Sequence, residues 1–383
     1  MGTTLANTTR ATAGLLWDAC SPMPDPERIR GALAAGPDMA LAARAALAQH
    51  VAPLLWNGLS HAGATDALGE AGARVRREFD LRRAHASLLL PMAVQSAVEP
   101  LMRAGLEPVV FKGPALAARY PDPGLRPMDD IDVLVAPDQH QAALAALERS
   151  GWRTWEPTVG HYDVVLHHPG APGLPLELHR GLDSWRDRWY HLTVADLRGW
   201  RQPIDCFGTP AFGLPPEEEL VALAAHASKP FHTFRRLIWS ADLVVVSATA
   251  GPHLDWNRVG RRAREFGCST ALAIALRHAR RLGAQVPDDL LELPSSRMRM
   301  PALAPLLEDS WPLDPVEPVM IHRLRYALPD ATSARLLQVV AEITSAGPRA
   351  PLQALNLALL AIRLWWRSRN RGVNSNEGSE GRL

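Results

Sequence analysis

The sequence predicts a helix-rich α+β fold, with a small mixed β-sheet held between two helical blocks. Three observations predict it. Alanine- and leucine-rich segments with apolar residues at helical spacing fill the chain before residue 105 and again after residue 216. Between them lie short β-branched or alternating runs (EPVVF, DIDVLVA, YDVVLHH, LPLELHR) set off by Pro- and Gly-rich turns. The 383 residues are enough for two or three folding units, and 47% hydrophobic with 21% charged residues is ordinary for a globular chain. The expected organisation is a loose polar segment 1–20, a helical region 21–105, a core 106–215, a second helical region 216–366 and a disordered tail 367–383.

In chain order, DPERIRGALAAG has an acidic start and a glycine stop, and DMALAARAALAQHVAPLLWNGL keeps helical spacing. A second block, 66–104, is broken or kinked at Pro91. EPVVF (107–111) then reads as a buried strand, and KGPALAARY as a turn into a helix, with Pro114 suited to a first-turn position. PDPGLRP (121–127) is a loop, DIDVLVA a strand, and PDQHQAALAALERSG a helix. YDVVLHH and LPLELHR form a hairpin around PGAPG. From Pro216 the chain is helical again, with acids in the first turn. Residues 284–318 read as proline-rich and irregular, and the last helices run to about Trp366.

A formal net charge of +1 excludes the global basic field expected of a polymerase or another binder of long nucleic acid. The three cysteines, Cys20, Cys206 and Cys268, are far apart and make neither a disulfide framework nor a metal cluster. That and the lack of a signal-peptide pattern lead us to expect a cytoplasmic protein. LQALNLALLAIRLWW (352–366) is too short for a bilayer, which needs about 20 apolar residues. It reads as a docked helix with a solvated tail, and weak lipid contact of the basic run Arg367, Arg369 and Arg371 is left open.

Of the 41 basic residues only two are lysines, Lys112 and Lys229. Lys112 and Gly113 end a strand and open a helix, where backbone N–H groups and a mobile point charge suit phosphate. Alternation puts Asp130 and Asp132 on one strand face and Ile131, Val133 and Val135 on the other. Paired carboxylates raise each other's pKa unless a cation sits between them, and hard oxygen ligands suit Mg²⁺. Glu177 alternates with Leu176 and Leu178. If its strand lies beside DIDVLVA, it completes an acidic triad able to hold two metal ions roughly 3.5–4 Å apart, or to accept the proton of an attacking hydroxyl. His179 is read as a partner of these acids rather than a ligand. Arg126 either ties down its loop or grips phosphate.

FKGPALAARYPDPGLRPMDDIDVLV resembles the bacterial family labelled uncharacterised nucleotidyltransferase, within the superfamily that includes DNA polymerase β and the aminoglycoside nucleotidyltransferases. LELHRGL and LVALAAHASKPFHTFRRLIWSADLVVV carry the likeness further, over about 25–365. The resemblance implies Mg²⁺-dependent transfer of a nucleoside monophosphate from an NTP, ATP by default, to a hydroxyl or phosphate of a small-molecule or peptide/protein acceptor. Asp130, Asp132 and Glu177 would serve as catalytic and metal residues. Lys112, Gly113, Arg126 and Lys229 would hold the nucleotide. It also implies that His226, Arg236, Trp239 and Asp242 line the cleft. The alternative is a non-catalytic nucleotide- or peptide-binding scaffold on the same fold.

Overall fold

The computed structural model describes residues 2–155, 163–180, 190, 193–229, 232–293, 300–309, 311–313, 328 and 330. The helices expected to reach Trp366 and the tail 367–383 lie outside these residues. Helix α1 (Gly2–Ala19) replaces the loose segment expected for 1–20. Its polar first half conceals an apolar second half, where Leu15, Leu16 and Trp17 are buried and Trp17 Nε1 donates to the Asp309 carbonyl at 3.0 Å. Helix α2 (Pro26–Ala34) is capped by Asp25, whose side chain accepts from the Glu27 and Arg28 N–H groups. Helices α3 (Met39–Ala48) and α4 (Ala52–His61) are parted at His50, which has φ +58°. Helices α5 (Gly72–Leu88) and α6 (Leu90–Arg103) meet at the break expected near Pro91, which falls in the first turn of α6.

The middle of the chain runs β1 (Val109–Val110), α7 (Gly113–Ala117), β2 (Ile131–Leu134), α8 (His140–Arg149), β3 (Arg153–Thr154), β4 (Asp163–His167) and β5 (Leu176–His179). Then come α9 (Val194–Trp200), β6 (Gln202–Cys206) and β7 (Thr209–Gly213). The β6–β7 hairpin has no counterpart in the sequence reading. Among the described residues the strands form one mixed seven-stranded sheet in the order β3-β4-β5-β2-β1-β7-β6. β2 pairs antiparallel with β1 and parallel with β5, and β4 with β5 is the expected hairpin.

Alternation decides which side chains each face carries. Val110, Ile131, Val133, Leu176 and Leu178 pack against Val94, Val98 and Leu101 of α6 and Ala143 and Leu147 of α8. The opposite face carries Asp132, Glu177 and His179, beside a smaller cluster of Val109, Leu134, Phe111 and Leu197.

The chain continues through α10 (Pro216–Ala227), α11 (Leu237–Ala250), α12 (Trp256–Glu265), α13 (Ser269–Arg281) and α14 (Met300–Leu307), the last inside the stretch expected to be irregular. Leu16, Leu54 and Leu55 share one core with Leu220, Val245 and Ile274, so the N- and C-terminal helices pack on each other. The three acids opening α10, Glu217, Glu218 and Glu219, are buried. Glu218 pairs with Arg258 at 2.8 Å and Arg262 at 3.2 Å, and Glu219 with Arg119 at 2.8 Å. No helix among the described residues is long and apolar enough to cross a membrane.

Candidate active site

The chain leaves β1 through Lys112, whose φ of +54° and ψ of −128° suit glycine rather than a side chain. Such a conformation costs about 1–3 kcal/mol and persists only where the surroundings enforce it. The turn drops the chain into α7, with Gly113 first. A Cβ on Gly113 would stand 3.1 Å from the Asp130 carbonyl oxygen, so glycine permits this close approach. Helix α7 has only five residues, so its macrodipole adds little for a phosphate here. Pro114 adds no N–H. The charge brought to this corner is that of Lys112.

Asp132 is registered directly against Glu177 across β2 and β5. Lys112 Nζ lies 2.7 Å from Asp132 Oδ1, and His179 Nε2 donates to the same oxygen at 2.9 Å. Glu177 Oε2 is 3.4 Å from His179 Nε2. Asp132, Glu177 and His179 each bring a ligand-capable atom within 4.8 Å of the others. Asp130 lines the same cleft, but it is not part of that trio. The expected acidic triad is thus an Asp–Glu–His trio with Asp130 beside it.

Charge is divided unequally between the two aspartates. Burial and then the neighbouring Asp132 charge push Asp130 up to about 7. Burial would raise Asp132 too, but the Lys112 ammonium and the His179 hydrogen bond hold it well below the usual carboxylate range. Burial opposes charge on Lys112 and His179, but Asp132 and Asp130 more than offset it for Lys112, and Asp132 and Glu177 for His179, so both are raised. The donor set fits a hard divalent cation, because Asp132 and Glu177 supply carboxylate oxygens while His179 orients Asp132 from behind.

The loop before β2 is fixed at two points. Gly124 lies against α5, where a Cβ would be 2.6 Å from Arg83 Cα. Arg126 holds Asp242 of α11 through two nitrogens, Nε at 2.8 Å and Nη2 at 3.0 Å, and the Tyr120 hydroxyl donates to the same carboxylate at 2.9 Å. Both members of the ion pair are buried. Arg126 reaches the cleft, and the N–H groups left for a phosphate are the two on Nη1 and the second on Nη2. Asp242, which the resemblance implies lines the cleft, is instead fully buried as the partner of Arg126. Asp129 also lines the cleft, where Arg82, Arg236 and His50 lie 3.8–3.9 Å from its carboxylate.

The other wall comes from the end of α10, the start of α11 and the turn between them. His226, Lys229, His232, Arg235, Arg236 and Trp239 all line the cleft, whose volume is about 530 Å³. Trp239 is half-buried here. The structure thus brings Lys112, Gly113, Arg126, Asp130, Asp132, Glu177 and Lys229 into one cleft. Sequence reasoning missed His232, Arg235, His50 and Asp163, which also line it. Asp163 is registered against His179 on β4, so the strand alternation applied to Glu177 would have found it. The other three depend on turns that no periodicity marks.

A family model described as an uncharacterised nucleotidyltransferase matches residues 36–284, well over half of the 383 residues. The match stops short of the C-terminal stretch to 365 over which the resemblance was read. No curated protein and no solved structure matches the chain.

Proposed function

The chain belongs to the uncharacterised nucleotidyltransferase family, and from that premise we propose that it moves a nucleoside monophosphate from an NTP, ATP by default, to a hydroxyl or phosphate of an acceptor. The acceptor is a small molecule or a peptide/protein. One observation carries this reading: a parallel register seats Asp132 beside Glu177, with the Lys112 ammonium 2.7 Å from Asp132. Anionic ligands for a cation and a cation for polyphosphate then share one cleft.

Asp132, Glu177 and Asp130 would hold Mg²⁺. When bound, the ion would neutralise phosphate charge and draw the reacting oxygens together. The chain's own groups do the rest. An acceptor oxygen attacks the α-phosphorus, the bond from that phosphorus to the bridging oxygen breaks, and pyrophosphate leaves. Glu177, half-exposed at the cleft, takes the hydroxyl proton. Lys112 moves its charge from Asp132 toward the departing pyrophosphate. His179 keeps Asp132 in place.

The test supplies NTPs labelled at the α- or the γ-phosphorus, with Mg²⁺ and fractionated cell extract as acceptor source. Label transferred from the α position only, and lost in Asp132→Asn, supports the reading. Transfer from the γ position would make the protein a kinase instead. No transfer from either would favour a non-catalytic scaffold.

A further inference from the structure

We infer that the α10–α11 turn is the seat of the donor's nucleobase, with the rings of His226, His232 and Trp239 providing the surface on which the base stacks. The inference rests on the metal–triphosphate reading above and adds the part of the ligand that reading leaves unplaced.

The three rings form one contiguous group. Their centroids are 4.5 Å apart for His226 and His232, 4.9 Å for His232 and Trp239, and 5.7 Å for His226 and Trp239. All three line the cleft and are half-buried, so each retains accessible surface there. The Arg236 guanidinium sits 5.8 Å from the Trp239 centroid, adding a cation to the ring group. Burial, and then the charge of Lys112, lower His226 well below the usual imidazole range. Burial above all brings His232 to about 4, so both rings are neutral at pH 7.

The turn is built to present these groups. Thr233 and Phe234 are consecutive non-glycine residues at φ +38° and +57°, a costly arrangement in a nine-residue connection. Phe234 is buried as an anchor, and its N–H donates to the Ala227 carbonyl at 2.7 Å. His232 Nδ1 donates to the His226 carbonyl at 3.0 Å, which fixes the ring and leaves Nε2 as its acceptor.

Position argues for the donor rather than the acceptor. The His226 and His232 rings line the same cleft as Lys112, Asp132 and Glu177, so the ring group and the triphosphate corner share one space. Lys229, Arg235 and Arg236 adjoin the rings in the same cleft. A ligand that is flat and aromatic at one end and polyanionic at the other matches this layout, and about 530 Å³ is room for one nucleotide. Base stacking tolerates any base, with purines favoured by their larger ring area.

The experiment measures calorimetric binding of Mg-ATP, and of Mg-tripolyphosphate, which has no base, to the native protein, Trp239→Leu and Lys112→Met. Trp239→Leu should weaken Mg-ATP roughly tenfold or more and leave tripolyphosphate unchanged, the loss of one stacking surface. Lys112→Met should weaken both. Should Trp239→Leu lose its thermal transition, His232→Ala carries the same comparison. Unaltered Mg-ATP affinity in a folded ring variant would overturn the inference and assign the rings to another ligand. Equal loss of both ligands would overturn it in favour of a structural role. If the native protein bound neither, the metal–triphosphate reading would fall and this inference with it.

Discussion

Asp132 and Glu177 are cross-strand partners on the parallel strands β2 and β5, and His179, two residues beyond Glu177, donates to Asp132 at 2.9 Å. A carboxylate fixed this way from behind presents its remaining lone pairs in a set direction. His179→Ala should therefore weaken Mn²⁺ binding by about 10–100-fold without unfolding the protein. Electron paramagnetic resonance titration of free Mn²⁺ reads this directly. Unchanged affinity would mean that the hydrogen bond does not orient a ligand.

Asp130 gives a pH prediction. Its pKa is raised to about 7 in the folded chain, by burial first and then by Asp132. The folded protein therefore holds this proton where the unfolded chain has released it. The stability tied to that proton is fully present below the unfolded value and is lost as pH rises through about 7. Asp130→Asn, which mimics the neutral acid, should match the native protein near pH 4 and become progressively more stable than it up to pH 8. Urea midpoints of both proteins across that range test the sign. A difference that shrinks with rising pH would contradict it.

The Arg126–Asp242 pair makes a stability prediction. Removing one partner leaves a buried charge alone, at a cost of about 3–5 kcal/mol. Arg126→Met and Asp242→Leu should each destabilise by about that much, and the double variant should recover most of the loss. Denaturant unfolding of the three variants completes the cycle. Additive losses would show that the two side chains do not depend on each other.

Much of the sheet and of its acidic edge was legible in the sequence, because strand alternation is a local rule. DIDVLVA put Asp132 opposite the apolar face before any contact was known, and LPLELHR did the same for Glu177. Lys112 stood out because lysine is so rare in this chain. What stayed hidden depends on distance or on turn geometry. Arg126 meets Asp242 across 116 positions, and no spacing rule encodes that. His232 and Arg235 enter the cleft through a turn with two left-handed residues, in a stretch whose helical periodicity runs past it. Helix α1 was missed because its burying half follows a run of threonines and alanines that reads as polar chain.

The backbone at Lys112 allows a comparison free of the ammonium. Lys112→Gly and Lys112→Met both remove the charge beside Asp132, but only glycine relieves φ +54°. After glycine's own entropic cost, Lys112→Gly should be more stable than Lys112→Met by about 1 kcal/mol. Thermal midpoints decide it. If the methionine variant is the more stable, the turn stores no strain.

On the proposed function, Lys112, Asp132 and Glu177 form a metal–triphosphate site. Its most direct test is thermal denaturation with and without each Mg-NTP, on the native protein and on Asp132→Asn. At 100 times its dissociation constant a nucleotide should stabilise the native fold by about 2.7 kcal/mol. At least one Mg-NTP should do so, and Asp132→Asn, still folded, should show no shift. A folded native protein unmoved by every Mg-NTP at millimolar concentration, or a variant stabilised as much as the native protein, would contradict it.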